Sequence, residues 1–113
     1  MKRLPVAIMV LVGGLALCAL LLNGCGGGKQ DPAAQGKVVY EAQDCKTCHM
    51  LSGAGSKGPG PDLSHVGSKL TTDEIHTQIT DPKKVNAKNM MPAHTGIPKP
   101  DLDKLVAYLE SLK

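Results

Sequence analysis

The pattern of apolar and polar positions changes character several times along this chain. Residues 6–22 are almost unbroken apolar, opened by Lys2 and Arg3 and closed by Leu22-Asn23-Gly24-Cys25. A basic start, an apolar centre and a small residue before a cut is the layout of a secretory signal. Gly26-Gly27-Gly28-Lys29-Gln30 follows and reads as a short flexible spacer. At Asp31-Pro32 a helix begins, with Asp as N-cap and Pro at the first helical position. It is expected to run to about Gln43. Gly36 sits inside it, where glycine costs about 1 kcal/mol relative to alanine. A glycine there makes sense if a second helix approaches closely, and Tyr40, one turn on, shares its face.

Residues 52–61 are dense in Gly and Pro, which excludes helix and strand and reads as an ordered loop if it wraps a ligand and as disorder if it does not. A second helix is well signalled. Thr71 and Glu74 form a capping box, and Leu70 and Ile75 are placed as a hydrophobic staple. Ile75 and Ile79 share a face, and Asp81-Pro82 ends the helix. The stretch 83–100 lacks periodicity and holds Met90-Met91-Pro92. A last helix runs from about Pro100 to Leu112, with Leu102, Leu105, Val106, Leu109 and Leu112 in one apolar stripe. Asp101 and Asp103 suit its positive dipole end. No strand pattern appears, so the fold class is all-α, with three to four short helices.

Composition sharpens this picture. Of 113 residues, about ninety remain once the signal is removed, enough for one small domain. There is no Phe or Trp, and the two aromatics are Tyr40 and Tyr108. So small a domain buries a modest share of its surface and needs a staple. A buried, covalently held apolar group would supply the missing core area. The formal net charge of +3 loses Lys2 and Arg3 with the signal, leaving a near-neutral mature chain with no nucleic-acid footprint.

The chemistry is concentrated in Cys45-Lys46-Thr47-Cys48-His49. This C-x-x-C-H order is the attachment signature of a c-type haem. Two thiols at this spacing can add to the two vinyl groups of one porphyrin edge, and the adjacent imidazole is then held over the iron as proximal ligand. Two rivals exist for a bare C-x-x-C: a thiol redox pair, or half of a zinc site. The first wants a βαβ setting and the second another ligand pair, and neither is visible. The other two of the four cysteines have separate destinies. Cys18 leaves with the signal. Cys25 ends a Leu-x-Gly-Cys that resembles the lipobox of bacterial lipoproteins, in which that Cys is lipidated. An uncleaved transmembrane anchor is one alternative, since about twenty apolar residues span a bilayer. An ordinary export signal, leaving Cys25 a free thiol, is the other. All three place the domain outside the cytoplasm. The expected division is a signal over 1–24, a membrane tether over 25–35 and a domain over 36–113.

From Gly36 to Leu112 the chain resembles a class I cytochrome c. The resemblance rests on Gly36 with Tyr40, Cys45-Lys46-Thr47-Cys48-His49, Gly60-Pro61-Asp62-Leu63, Met91-Pro92 and the closing Leu105-Val106-Ala107-Tyr108-Leu109. It implies that the first and last helices cross with Gly36 and Tyr40 against Leu105 and Tyr108. It implies also that the Pro61 carbonyl accepts from the ring N–H of His49, which fixes the imidazole and strengthens it as a donor. Of five methionines, Met1 and Met9 lie in the signal and Met50 adjoins His49, so Met90 and Met91 remain for the distal face. The family pattern places the ligand before proline and so selects Met91, with Met90 packing against the ring as the fallback. His65, His76 and His94 compete for the distal site, His94 most directly. One departure is the absence of Trp, which leaves the propionate partners unassigned. Lys46, Lys83, Lys84, Lys88 and Lys99 flank the expected crevice and suit an acidic partner.

The function implied is a membrane-tethered, one-electron carrier with one covalent haem c, on the periplasmic face or cell surface of a bacterium. It would exchange electrons with a redox protein donor and acceptor. No catalytic acid, base or nucleophile is recognisable. The competing classes are a haem protein with an open distal site, for gas binding or peroxidatic chemistry, and a haem relay within a larger oxidoreductase complex.

Overall fold

The computed structural model describes residues 31–113. The signal over 1–24, lipidation at Cys25 and residues 25–30 of the tether lie outside the described residues. The first helix, α1, spans Pro32–Ala42, with the Asp31 carboxylate accepting from the Ala33 N–H at 3.1 Å. Asp44, with a φ of 53°, turns the chain into a 3-10 turn at Cys45–Thr47. Helices α2 (Thr72–Thr80), α3 (Pro82–Val85) and α4 (Lys99–Ser111) follow, with a second 3-10 turn at Val66–Ser68 before them. Among the described residues no helix is long and apolar enough to cross a membrane.

Local chemistry accounts for these elements. The capping box is present in both directions: the Thr71 N–H donates to the Glu74 carboxylate at 2.8 Å, and the Glu74 N–H donates to the Thr71 hydroxyl at 3.4 Å. Asp81 closes α2, and its carboxylate then accepts from the Lys84 N–H at 3.3 Å as N-cap of α3. Asp81-Pro82 therefore stops one helix and starts another. The stretch read as aperiodic from 83 onward opens inside that single turn, too short for a repeating apolar pattern. Asp101 and Asp103 pair with Lys104 at 3.1 Å and Lys99 at 2.7 Å. Lys99 is thus occupied within its own helix.

One expectation is overturned. Met50–Leu51 and Ala54–Gly55 form a two-residue antiparallel ladder, and its second strand lies within residues 52–61, a stretch whose composition excludes strand. Ser52 and Gly53 both have positive φ, 51° and 78°, as a tight two-residue hairpin turn requires. Strands this short carry no alternation that a sequence pattern could register. The fold remains all-α in its layers.

The core gathers Tyr40 from α1, Val66, Ile75 and Ile79 from α2, Ile97, and Leu102, Leu105, Val106 and Leu109 from α4. The apolar stripe of α4 faces inward as its spacing predicts. Helices α1 and α4 pack at Gly36, where a Cβ would collide with the Lys104 carbonyl and lie 2.6 Å from the Tyr108 Cβ. One turn on, Tyr40 and Tyr108 meet edge to face, 5.9 Å between centroids. The second 3-10 turn is tied to the end of α4. Gly67 N–H donates to the Leu112 carbonyl at 2.8 Å, and the Lys113 ammonium returns a bond to the Gly67 carbonyl at 2.7 Å.

Candidate haem site

The 3-10 turn sets the three motif residues in place. Cys48 N–H and His49 N–H both donate to the Cys45 carbonyl, at 3.2 and 3.0 Å. Cys45 is half-buried against the core, Cys48 is exposed, and both are free thiols. Burial pushes the Cys45 thiol up from its ordinary value. His49 is the one buried polar side chain among the described residues, 8 % exposed. Its Nδ1 lies 2.8 Å from the Pro61 carbonyl oxygen. A carbonyl only accepts, so Nδ1 carries the proton and Nε2 keeps its lone pair free to bind a metal. Gly60 makes this approach geometrically allowed. A Cβ there would lie 2.5 Å from both Nδ1 and Cε1 of the ring and 2.8 Å from the Cys48 carbonyl oxygen. The next turn is held by Asp62, whose carboxylate accepts from the hydroxyl and the N–H of Ser64. Those bonds keep it below the usual carboxylate range.

Met91 is half-buried and packs against the core, on the loop between α3 and α4. Its Sδ is 4.0 Å from the Gln78 Nε2, and its N–H donates to the Asn89 side-chain oxygen at 3.0 Å. Met90, the fallback ligand, is 85 % exposed on the protein surface. Adjacent residues of a non-helical segment point to opposite sides, so turning Met91 inward turns Met90 out. His94 is half-buried with its N–H bonded to the Ile79 carbonyl at 2.9 Å. His65 donates through Nδ1 to the Lys113 carbonyl at 2.8 Å, and His76 is exposed on α2.

These residues fit a covalently held porphyrin. The two thiols are free, the imidazole has its tautomer fixed and one nitrogen available, and a buried polar atom is left orphaned beside them. That atom is the Tyr40 hydroxyl, which has no hydrogen-bond partner among the described residues although Tyr40 is 5 % exposed. Orphaned buried hydroxyls are rare and point to a missing neighbour. Tyr40 was singled out in the sequence only for packing; its lost partner had no sequence signal. Among the described residues no group of three or more His, Cys, Asp or Glu is gathered.

Burial pushes the Tyr40 phenol up to about 12, with negative charge at Cys45, Tyr108 and Asp62 adding to the effect. The native state keeps this proton where the unfolded chain releases it near 10.0, so stability falls as pH rises from about 10 towards about 12. Tyr108 is raised as well, by burial and then by Glu41. Urea denaturation at pH 9 and pH 11 is expected to show a smaller alkaline loss in Tyr40→Phe than in the unsubstituted protein. Equal losses in both would assign the effect elsewhere.

Comparison with known proteins gives the same family as the geometry. The family model for cytochrome c matches residues 33–113, nearly all of the described chain. The chain is also 32 % identical over 89 residues to cytochrome c oxidase subunit 2 of Alkalihalophilus pseudofirmus, covering 72 % of this chain and 26 % of that protein. It therefore spans about a quarter of the length of that relative. With a mostly helical class I fold and its thiol pair followed by a buried histidine, the chain belongs to the cytochrome c family.

Proposed function

We propose that this chain is a single-haem, one-electron carrier tethered to the outer face of a bacterial membrane, with His49 and Met91 as iron ligands. The observation that carries the reading is the buried His49, its Nδ1–H given to Pro61 and its Nε2 free, directly after Cys45 and Cys48. When bound, the haem supplies the ferrous/ferric couple. The protein's part is to hold it. Cys45 and Cys48 fix it covalently through thioethers, and His49 is oriented by Pro61 and made a stronger donor to the metal. Met91 offers a soft sulfur that favours the reduced metal. Two ligands supplied by the chain leave little to rearrange when an electron moves. Exposed Lys46, Lys83, Lys84 and Lys88 suit an acidic partner, whereas Lys99 is engaged by Asp103.

Absorption spectra of the purified full chain, oxidised and reduced, test this directly. The expected result is a c-type spectrum whose chromophore stays with the polypeptide through acid–acetone extraction. A colourless protein, or one stripped by the extraction, would remove the reading. The tether is tested separately. Cys25→Ser is expected to move the protein from the membrane to the soluble fraction, and continued attachment would favour an uncleaved anchor.

One observation favours a second placement of the same chemistry. The relative from Alkalihalophilus pseudofirmus is a subunit of an oxidase, so a relay within such a complex competes with a free carrier. Mild solubilisation and purification distinguish them: a relay co-purifies with oxidase subunits in fixed ratio, and a carrier does not.

A further inference from the structure

The Met91 side of the site is held at two different points by two different side chains. Gln78 and Met91 are both half-buried, and the Gln78 amide nitrogen lies 4.0 Å from the Met91 sulfur, within reach of a weak N–H···S bond. Asn89 acts on the backbone. Its side-chain oxygen accepts from the Met91 N–H at 3.0 Å, and its side-chain nitrogen donates to the Pro82 carbonyl at 3.3 Å. Pro82 is buried at the first turn of α3, so Asn89 fastens the Met91 loop to a fixed part of the fold.

We propose that Gln78 and Asn89 are positioning residues that divide the holding of Met91, Gln78 setting how strongly its sulfur donates and Asn89 setting how readily its loop swings away. This rests on Met91 being the distal ligand. An N–H aimed at a thioether withdraws electron density from it and makes it a poorer donor to the oxidised metal. Removing that N–H therefore favours the ferric state. The Asn89 bridge bonds backbone atoms, the Met91 N–H and the Pro82 carbonyl, and acts through geometry. Loss of it frees the loop, so the fraction of molecules with Met91 displaced rises while the bound state keeps its electronic character.

The two roles predict different signatures in the haem-loaded protein. In Gln78→Leu, the ferrous-to-ferric ratio at a fixed ambient potential is expected to fall by roughly two- to tenfold, the equivalent of one hydrogen bond. The sulfur-to-iron charge-transfer band of the ferric form should persist at a shifted wavelength. In Asn89→Ala, that ratio should stay within about twofold, while imidazole binds the ferric protein on the order of tenfold faster. Asn89→Asp keeps the oxygen that holds the Met91 N–H and should bind imidazole more slowly than Asn89→Ala. This also guards against a general loss of fold. If both variants match the unsubstituted protein in ratio, band and binding rate, the proposal is overturned while Met91 ligation stands. If the unsubstituted ferric protein lacks the charge-transfer band, the ligand assignment itself fails and takes this inference with it.

Discussion

Met91→Ala is expected to turn a protein indifferent to carbon monoxide into one that binds it in the ferrous state. The argument is one of populations. A protein ligand that leaves the sixth position open in about one molecule in a thousand weakens exogenous ligand binding by about the same factor. Deleting that ligand removes the competition, so carbon monoxide affinity rises on the order of 1,000-fold. The sulfur-to-iron charge-transfer band of the ferric form disappears, and the potential falls because the soft donor that favours reduced iron is gone. Half-buried Met91 packs on the core and its neighbour Met90 is 85 % exposed, so Met90→Ala should leave spectrum and carbon monoxide response unchanged. Persistence of the band in Met91→Ala would transfer the role to Met90, whose thioether is the sulfur that remains on this loop. A third outcome, strong carbon monoxide binding by the unsubstituted protein, would favour the open-site class of haem protein instead.

The sequence exposed the helical frame because each helix announces itself in short-range chemistry. Asp31-Pro32 and Thr71 with Glu74 cap two starts, and both are seen in the structure. The stripe from Leu102 to Leu109 could only be one face of a helix, and it is buried. The hairpin at Ser52 and Gly53 was hidden, since two-residue strands leave no period to read. Helix α3 was hidden for a related reason: four residues are one turn, and Asp81-Pro82 signals a boundary without saying which side it serves. In the site, the thiols and His49 are contiguous and so were legible from their order. The partners that orient them come from far along the chain. Pro61 was placed only through the family resemblance. Gln78 and Asn89 meet Met91 through the packing of the loop against α2 and α3, which no spacing rule encodes.

Gly60→Ala is expected to damage the site from the opposite side and with the opposite electronic sign. The added methyl would sit 2.5 Å from two atoms of the His49 ring and 2.8 Å from the Cys48 carbonyl oxygen. Neither neighbour gives way cheaply, because the ring is buried and the carbonyl belongs to the turn that carries both thiols. Relief requires the 60–61 segment to move off the ring, which lengthens the bond from Nδ1–H to the Pro61 carbonyl. Overpacking costs about 1–3 kcal/mol, and an unsatisfied buried N–H costs a further 1–3 kcal/mol or so. Against a total of roughly 5–15 kcal/mol for a small domain, that is a large share. A fall in Tm of roughly 10–50 °C follows, at roughly 4–8 °C per kcal/mol for a domain of this size. An imidazole without its acceptor is a weaker donor to oxidised iron, so the potential rises, whereas Met91→Ala lowers it. Gly96 supplies the control, since nothing lies within 4 Å of a Cβ built there. Calorimetry and redox titration of Gly60→Ala beside Gly96→Ala decide the matter. If Gly60→Ala kept the Tm and potential of the control, Pro61 would have no hold on His49 that depends on this close passage.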